Sequence, residues 1–174
     1  TLAIAAARAG GFAAGADLST SSPRTWRSAR GAVGLTLLVL ILGALTANLP
    51  DAASSCGGFP WCRTITSHGT GLYVHVFHRI IAFLLFGHLI GITIATSKRN
   101  EPAVIVRAAR FALGAAIVQI LVAAAMIEMH FPPVFRSLHQ AFGTLVWLSV
   151  VVLAIIARRA SRNEPVPAAM RAAA

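Results

Sequence analysis

One stretch decides the fold: residues 72–96 read LYVHVFHRIIAFLLFGHLIGITIAT. A helix needs roughly 20 mostly apolar residues to cross the hydrocarbon core of a bilayer, and this stretch is long enough. It contains three histidines and one arginine but no acidic residue. Ionisable side chains at membrane depth are costly and usually functional, so the same stretch also predicts where the functional site lies.

Three other segments have the same character, at about residues 31–49, 104–129 and 134–157. The chain of 174 residues is 57% hydrophobic and only 11% charged, whereas a water-soluble domain carries roughly a quarter charged residues. In lipid only helices and closed barrels satisfy every backbone polar group, and these runs are too long for barrel strands. We therefore predict an all-α integral membrane protein, a four-transmembrane-helix bundle of two tandem hairpins.

Basic residues mark one side of the membrane. They cluster before the first span, between the second and third, and after the fourth, at Arg24, Arg27, Arg30, Lys98, Arg99, Arg107, Arg110, Arg158, Arg159 and Arg162. The net charge is +10, but the clusters alternate with apolar runs and form no single patch for nucleic acid. The positive-inside rule predicts a multi-pass protein of the cell (inner) membrane with both termini cytoplasmic and the loops at 50–71 and 130–133 outside.

The two ends of the chain are predicted to lie outside the bundle. Residues 1–19 resemble the tail of a preceding helix, so we expect a partial N-terminal helix and a chain that is a piece of a longer protein. Residues 20–30 are expected to form a cytoplasmic linker and residues 31–159 the four-helix bundle. Residues 160–174 are expected to form a flexible cytoplasmic tail.

Cys56 and Cys62 are the only cysteines, and both fall in the first outer loop, in the segment CGGFPWC. An outward loop of a bacterial-type envelope is oxidising, which favours a disulfide. Gly57, Gly58 and Pro60 supply the turn geometry that such a small ring needs. A redox-active thiol pair and two unpaired thiols stay open as alternatives, and a metal site would need further ligands.

His78 and His139 are the two histidines placed to ligate one heme iron. Both lie one to two turns past the outer start of helices that run in the same direction, so their depths match. Two neutral imidazoles at matching depth can supply both axial ligands of a six-coordinate heme iron. The alternative is that each is a buried histidine hydrogen-bonded between helices.

Three neighbours complete the predicted heme site. Arg79 and Arg136 lie toward the outer end, where we expect them to pair with the heme propionates; snorkelling to the interface is the alternative. His75 shares a helix face with His78 and is expected to hydrogen-bond a propionate or another heme edge. His88 lies deeper and has no histidine at its depth on another helix, so packing with a hydrogen bond is expected there.

These features together resemble the heme A synthase family. The resemblance covers about residues 24–159 and rests on GALTA at 43–47, the cysteine pair with FPW at 59–61, the His78-Arg79 pair and LHQ at 138–140. It implies an eight-helix protein of two similar four-helix halves, each with a histidine pair. Such an enzyme oxidises a methyl group of heme O to the formyl group of heme A. The amino-terminal half houses the reacting heme, and the carboxy-terminal half holds a heme b.

The resemblance is strongest to the carboxy-terminal, heme b half. His78 and His139 match its ligand positions, and Cys56 and Cys62 match its outer-loop disulfide. In the catalytic half a glutamate typically stands three residues before the His-Arg histidine, whereas this chain has His75 there. The catalytic residues are therefore unknown, and heme O or heme A is expected only in a partner half.

The resemblance also implies partners besides the lipid bilayer. These are a second four-helix half or further copies of the chain, together with a heme O synthase or the terminal oxidase. Two other functions fit the same residues: a stand-alone membrane cytochrome b that transfers electrons, and a packing subunit without heme. Bound heme excludes the packing subunit, and a preceding segment with Glu-x-x-His-Arg favours the synthase over the cytochrome.

Overall fold

The computed structural model describes residues 22–162. Its four long helices are α1 (Pro23–Asn48), α2 (Thr70–Lys98), α3 (Ala103–Glu128) and α4 (Pro133–Arg162). Each helix is long and apolar enough to cross a membrane. The predicted all-α four-helix membrane fold is confirmed, and the chain is a multi-pass protein of the lipid bilayer. The helix tail expected at 1–19 and the tail beyond residue 162 lie outside the described residues.

Consecutive helices pack side by side, and the last returns to the first. α1 contacts α2, α2 contacts α3, α3 contacts α4, and α4 contacts α1, as in an up-and-down bundle. α2 and α4 are therefore diagonal neighbours. We call the end that carries the connections 49–69 and 129–132 the loop end. The opposite end, with the turn at 99–102, is the basic end.

α1 begins at Pro23 rather than at the predicted residue 31, so most of the expected linker is helical. The Ser22 hydroxyl accepts a hydrogen bond from Arg24 N at 3.2 Å, and Pro23 occupies the first turn, where its missing N–H costs nothing. Glu101, in the turn between α2 and α3, accepts from the Thr25 hydroxyl at 2.5 Å. Hydropathy missed this extension because these first turns are polar and are held by a cap and a tertiary contact.

Within the four helices, apolar burial is confined to the half of the bundle near the basic end. In α1 the buried residues follow helical spacing and stop at Thr36. In each of the other helices, burial of apolar residues also stops midway. The buried apolar residue nearest the loop end is Leu85 in α2, Ala116 in α3 and Val146 in α4. Toward the loop end, no apolar side chain of these four helices is fully buried. In that half of the bundle the apolar side chains of the helices stay at least partly accessible.

The connection between α1 and α2 contains a short antiparallel hairpin that the sequence did not predict. Strand β1 (Cys56–Gly57) pairs with β2 (Thr64–Ile65), with Cys56 opposite Ile65. A disulfide between Cys56 and Cys62 closes the hairpin, with the two Cα atoms 4.9 Å apart. Strands of two residues carry no detectable alternation of apolar and polar residues, so periodicity could not reveal them.

Candidate heme site

His78 is held by the backbone of α1. Its Nδ1 lies 3.1 Å from the carbonyl oxygen of Val39. A carbonyl can only accept, so Nδ1 carries the proton and Nε2 keeps the lone pair that a metal ligand needs. Gly43 allows this close approach, because a Cβ atom there would lie 3.0 Å from His78 Cε1.

His139 is held by a side chain of α3 instead. The Nε2 atom of Gln119 lies 3.0 Å from His139 Nδ1 and 3.4 Å from His139 Nε2. The Oε1 atom of Gln119 is the single buried side-chain nitrogen or oxygen in residues 22–162 without a hydrogen-bond partner. A half-turn of the amide exchanges the two atoms and lets Oε1 accept the Nδ1 proton. His139 Nε2 is then available as a ligand, as in His78.

The two imidazoles come from diagonally opposite helices. Both side chains are half-buried. They occupy the half of the bundle toward the loop end, where the helices bury no apolar side chain. The arrangement therefore places two nitrogen ligands in the half of the bundle whose apolar side chains stay accessible.

The residues present fit a heme better than a bare metal ion. Residues 22–162 contain no cluster of three or more histidine, cysteine or carboxylate side chains that could hold a metal ion. A heme iron needs only two protein ligands, because the porphyrin supplies the other four. The surrounding helices are apolar, which suits the porphyrin ring, and the unpaired Gln119 oxygen suits a histidine in its ligand tautomer.

Arg79 and His75 are hydrogen-bonded to the connection 49–69, which we call the disulfide loop. The buried Arg79 guanidinium donates at 2.7 to 3.3 Å to three loop carbonyl oxygens, those of Cys56, Gly58 and Pro60. Its Nε also donates to His75 Nε2 at 3.1 Å, and His75 Nδ1 donates to the Ala52 carbonyl oxygen at 2.9 Å. Four hydrogen bonds engage a group with five N–H donors, so Arg79 holds the loop against α2. Pairing of either residue with a propionate stays a prediction.

The same loop also reaches the end of α3. Glu128 forms an ion pair with Arg63 and accepts a hydrogen bond from Phe59 N at 3.0 Å. The ring of Phe59 packs against Phe83 of α2, with the ring centroids 6.0 Å apart. The loop therefore connects α2 and α3 at the loop end of the bundle.

The remaining predicted positions do not contact the histidine pair. His88 Nε2 donates to the Ser28 carbonyl oxygen at 2.9 Å, and a Cβ atom at Gly31 would lie 3.4 Å from it. His88 thus packs α2 on α1 with a hydrogen bond, as predicted. Arg136 is exposed in the first turn of α4, and its role toward a propionate stays a prediction.

Comparison with known protein families identifies the chain. The model of the COX15-CtaA family, described as cytochrome oxidase assembly protein, matches residues 1–151. The chain belongs to this family. The resemblance to heme A synthase is thereby confirmed, and the family is a heme-binding one that acts in cytochrome oxidase assembly and heme A synthesis. No curated protein and no solved structure matches the chain.

Three residues of this heme A synthase family member contact the histidine pair without having been predicted: Gln119, Gly43 and, through its carbonyl oxygen, Val39. A signal for Gln119 was present, because it is the only polar side chain of α3 between Arg110 and Glu128. The sequence gives a weaker signal for Gly43, because glycine is frequent in membrane helices. Only the structure shows that His78 packs on it.

Proposed function

We propose that this chain is the heme b-binding half of a heme A synthase, with His78 and His139 as the axial ligands of one heme. The observation that supports this most directly is where the two imidazoles lie. Both are in the half of the bundle whose helices bury no apolar side chain, while the helices of the opposite half bury residues such as Leu89 and Leu153. A bis-histidine heme would cover apolar side chains that the helices near the loop end leave accessible.

The chain's own contribution would be to fix two imidazoles in the ligand tautomer. The Val39 carbonyl oxygen accepts the Nδ1 proton of His78 at 3.1 Å, and the Gln119 amide stands 3.0 Å from Nδ1 of His139. Such outer partners orient a ligand and raise its basicity. When bound, the heme would supply one-electron transfer between its ferric and ferrous states.

We assign no catalytic residue to this chain. His75 stands at the position where the catalytic half of the family has its glutamate, and both its ring nitrogens are engaged, by Arg79 and by the Ala52 carbonyl. Oxidation of the heme O methyl group is accordingly assigned to a partner half. Arg79 and Arg136, both toward the loop end, are proposed to meet the propionates of the heme.

We also propose that the protein lies in the cell membrane with its basic end in the cytoplasm. Within residues 22–162 the basic end carries ten lysines and arginines, whereas the loop end carries three arginines. The positive-inside rule assigns the richer side to the cytoplasm. The disulfide loop would then face the oxidising side of the membrane, where such bonds persist.

A heme assay on the purified full chain tests the ligand assignment. We expect the pyridine hemochrome spectrum to give one heme b per chain, with low-spin absorbance that His78→Ala and His139→Ala each abolish. His88→Ala is the matched control, because it removes an imidazole from the same helix and should leave the absorbance intact. Wild-type chain without heme, or a heme lost only in the control, would overturn the proposal.

Reconstitution tests the assignment as the non-catalytic half. The chain alone should convert no heme O, and co-expression with a four-helix segment that carries Glu-x-x-His-Arg should restore heme A, measured by chromatography of extracted hemes. Heme A formation by the chain alone would show that the catalytic site lies within it.

A further inference from the structure

A groove between α1 and α4 at the basic end combines an apolar lining with two cations. It has a volume of about 210 Å³. Its lining includes residues at helical spacing on each of the two helices, namely Trp26, Arg30 and Val33 on α1 and Ala154, Ile155 and Arg158 on α4. Arg30 and Arg158 are exposed whereas Ala154 is buried, so the cations border the opening and the apolar residues line the interior.

No carboxylate of the described chain neutralises these two arginines. The single ion pair in residues 22–162 joins Arg63 and Glu128, at the loop end. Within residues 22–162 the one acidic residue of the basic end is Glu101, which accepts from Thr25 and from a backbone N–H at the start of α1. The groove therefore presents two guanidinium groups that need an anion from outside this part of the chain.

The position of Arg158 suits an interfacial ligand. Its guanidinium carbon lies 5.7 Å from the centroid of the Trp26 ring, a cation–π distance. Tryptophan is enriched where the lipid headgroups begin. Arg30 follows Trp26 by one helical turn, roughly 6 Å further into the bundle, so its long side chain can reach back to an interface at the level of Trp26.

We propose that this groove is a binding site for an anionic phospholipid. The phosphate sits between Arg30 and Arg158, and an acyl chain lies along Val33, Ala154 and Ile155. Basic pockets between membrane helices bind anionic headgroups, and the apolar floor matches the rest of the lipid. The site lies at the opposite end of the bundle from the histidine pair and does not depend on heme binding.

Native mass spectrometry of the purified chain with added lipid tests the proposal. We expect retention of phosphatidylglycerol over phosphatidylcholine of the same acyl chains. Arg30→Gln with Arg158→Gln should weaken phosphatidylglycerol binding by about 30-fold, since each basic residue contributes several-fold. The matched control is Arg107→Gln with Arg110→Gln, which removes the same charge from exposed positions at the same end and should cost less than about threefold.

Equal losses in the two double variants would reduce the effect to net charge and overturn the site. Ala154→Trp tests the acyl groove separately, because it fills the floor and leaves both arginines, and unchanged binding in that variant would also overturn the site.

Two further measurements, both on a chain with the two arginines intact, test for other occupants of the groove. Displacement of the lipid by inorganic phosphate would show that the groove binds a phosphate ion rather than a lipid, and would overturn the proposal. A photo-crosslinker at Val151 that captures residues 1–21 or a second copy instead of lipid would assign the groove to protein.

Discussion

The two helical hairpins hold their histidines in different ways. In the first hairpin, His78 is hydrogen-bonded to the backbone of α1. Its Nδ1 lies 3.1 Å from the Val39 carbonyl oxygen, and its ring packs on Gly43. In the second, His139 meets the side-chain amide of Gln119, whose oxygen has no partner. A backbone carbonyl has one polarity and a fixed place. An amide can rotate, and it can be replaced by mutation.

That difference separates the roles of the two histidines in the proposed heme site. The first hairpin offers a preset ligand, whose tautomer is fixed by the fold itself. The second offers an adjustable ligand, whose basicity depends on which atom Gln119 presents. The first hairpin also carries the long disulfide loop, whereas α3 and α4 are joined by the short connection at 129–132. Four changes test this comparison, in order of decreasing expected effect on heme binding.

The largest effect is expected from removing the space beneath His78. Gly43→Val adds a Cβ atom at about 3.0 Å from the imidazole, plus two methyl groups, and so must displace His78 from its carbonyl partner. We expect loss of most low-spin heme absorbance. Gly34→Val is the control on the same helix, since a Cβ atom there meets nothing within 4 Å. Equal heme content in the two variants would show that the preset geometry of His78 is not needed.

A smaller effect is expected at the adjustable histidine. Gln119→Leu removes the one side chain of residues 22–162 that is hydrogen-bonded to His139, and loss of such an outer partner typically costs about 10–100-fold in affinity. We expect faster transfer of heme to apomyoglobin and a shifted midpoint potential, with Gln119→Glu restoring an acceptor and part of the affinity. The exposed neighbour Gln140 supplies the control through Gln140→Leu. If neither rate nor potential changes in Gln119→Leu, the two hairpins hold their histidines equivalently.

The fold was predictable to the extent that it rests on apolar length. Four long apolar runs predicted four helices, and the spacing of His78 and His139 from their helix starts predicted similar depths, because a helix converts residue number into height. Their pairing around one heme stays a prediction. What surrounds each histidine was not predictable. The Val39 carbonyl has no sequence signature, and the partnership of Gln119 with His139 depends on how α3 rotates against α4.

The role of Arg79 shows a second limit. A cation beside a ligand histidine predicts a propionate partner. In the structure, however, the Arg79 guanidinium donates hydrogen bonds to three carbonyl oxygens of the loop. Those acceptors are backbone groups brought near by a hairpin of two-residue strands, which no periodic pattern indicates. Backbone acceptors contributed by irregular loops are the part of a site that side-chain patterns leave unassigned.

Arg79→Gln should therefore act first on the loop. It leaves one buried and two part-buried carbonyl oxygens without their charged donor, and we expect the free energy of loop opening to fall by about 3 kcal/mol. The rate of disulfide reduction by a small thiol measures that opening. Arg63→Gln is the control, since its ion pair with Glu128 is largely exposed and such pairs contribute about 1 kcal/mol or less. A variant that keeps a protected disulfide but loses heme would show that Arg79 acts through the proposed propionate contact rather than through the loop.

The smallest effect is expected from the disulfide itself. Cys56→Ala with Cys62→Ala opens a ring with a sequence separation of 6, and closing so short a loop contributes only about 2 kcal/mol. Arg79 still bonds the loop carbonyls in that variant, so the loop should stay in place and heme content should equal that of wild type. Thermal unfolding followed by heme absorbance measures both quantities. A loss of heme as large as that in Gly43→Val would mean that the loop, rather than the α1 backbone, presets His78, and the contrast between the hairpins would then lie in their connections.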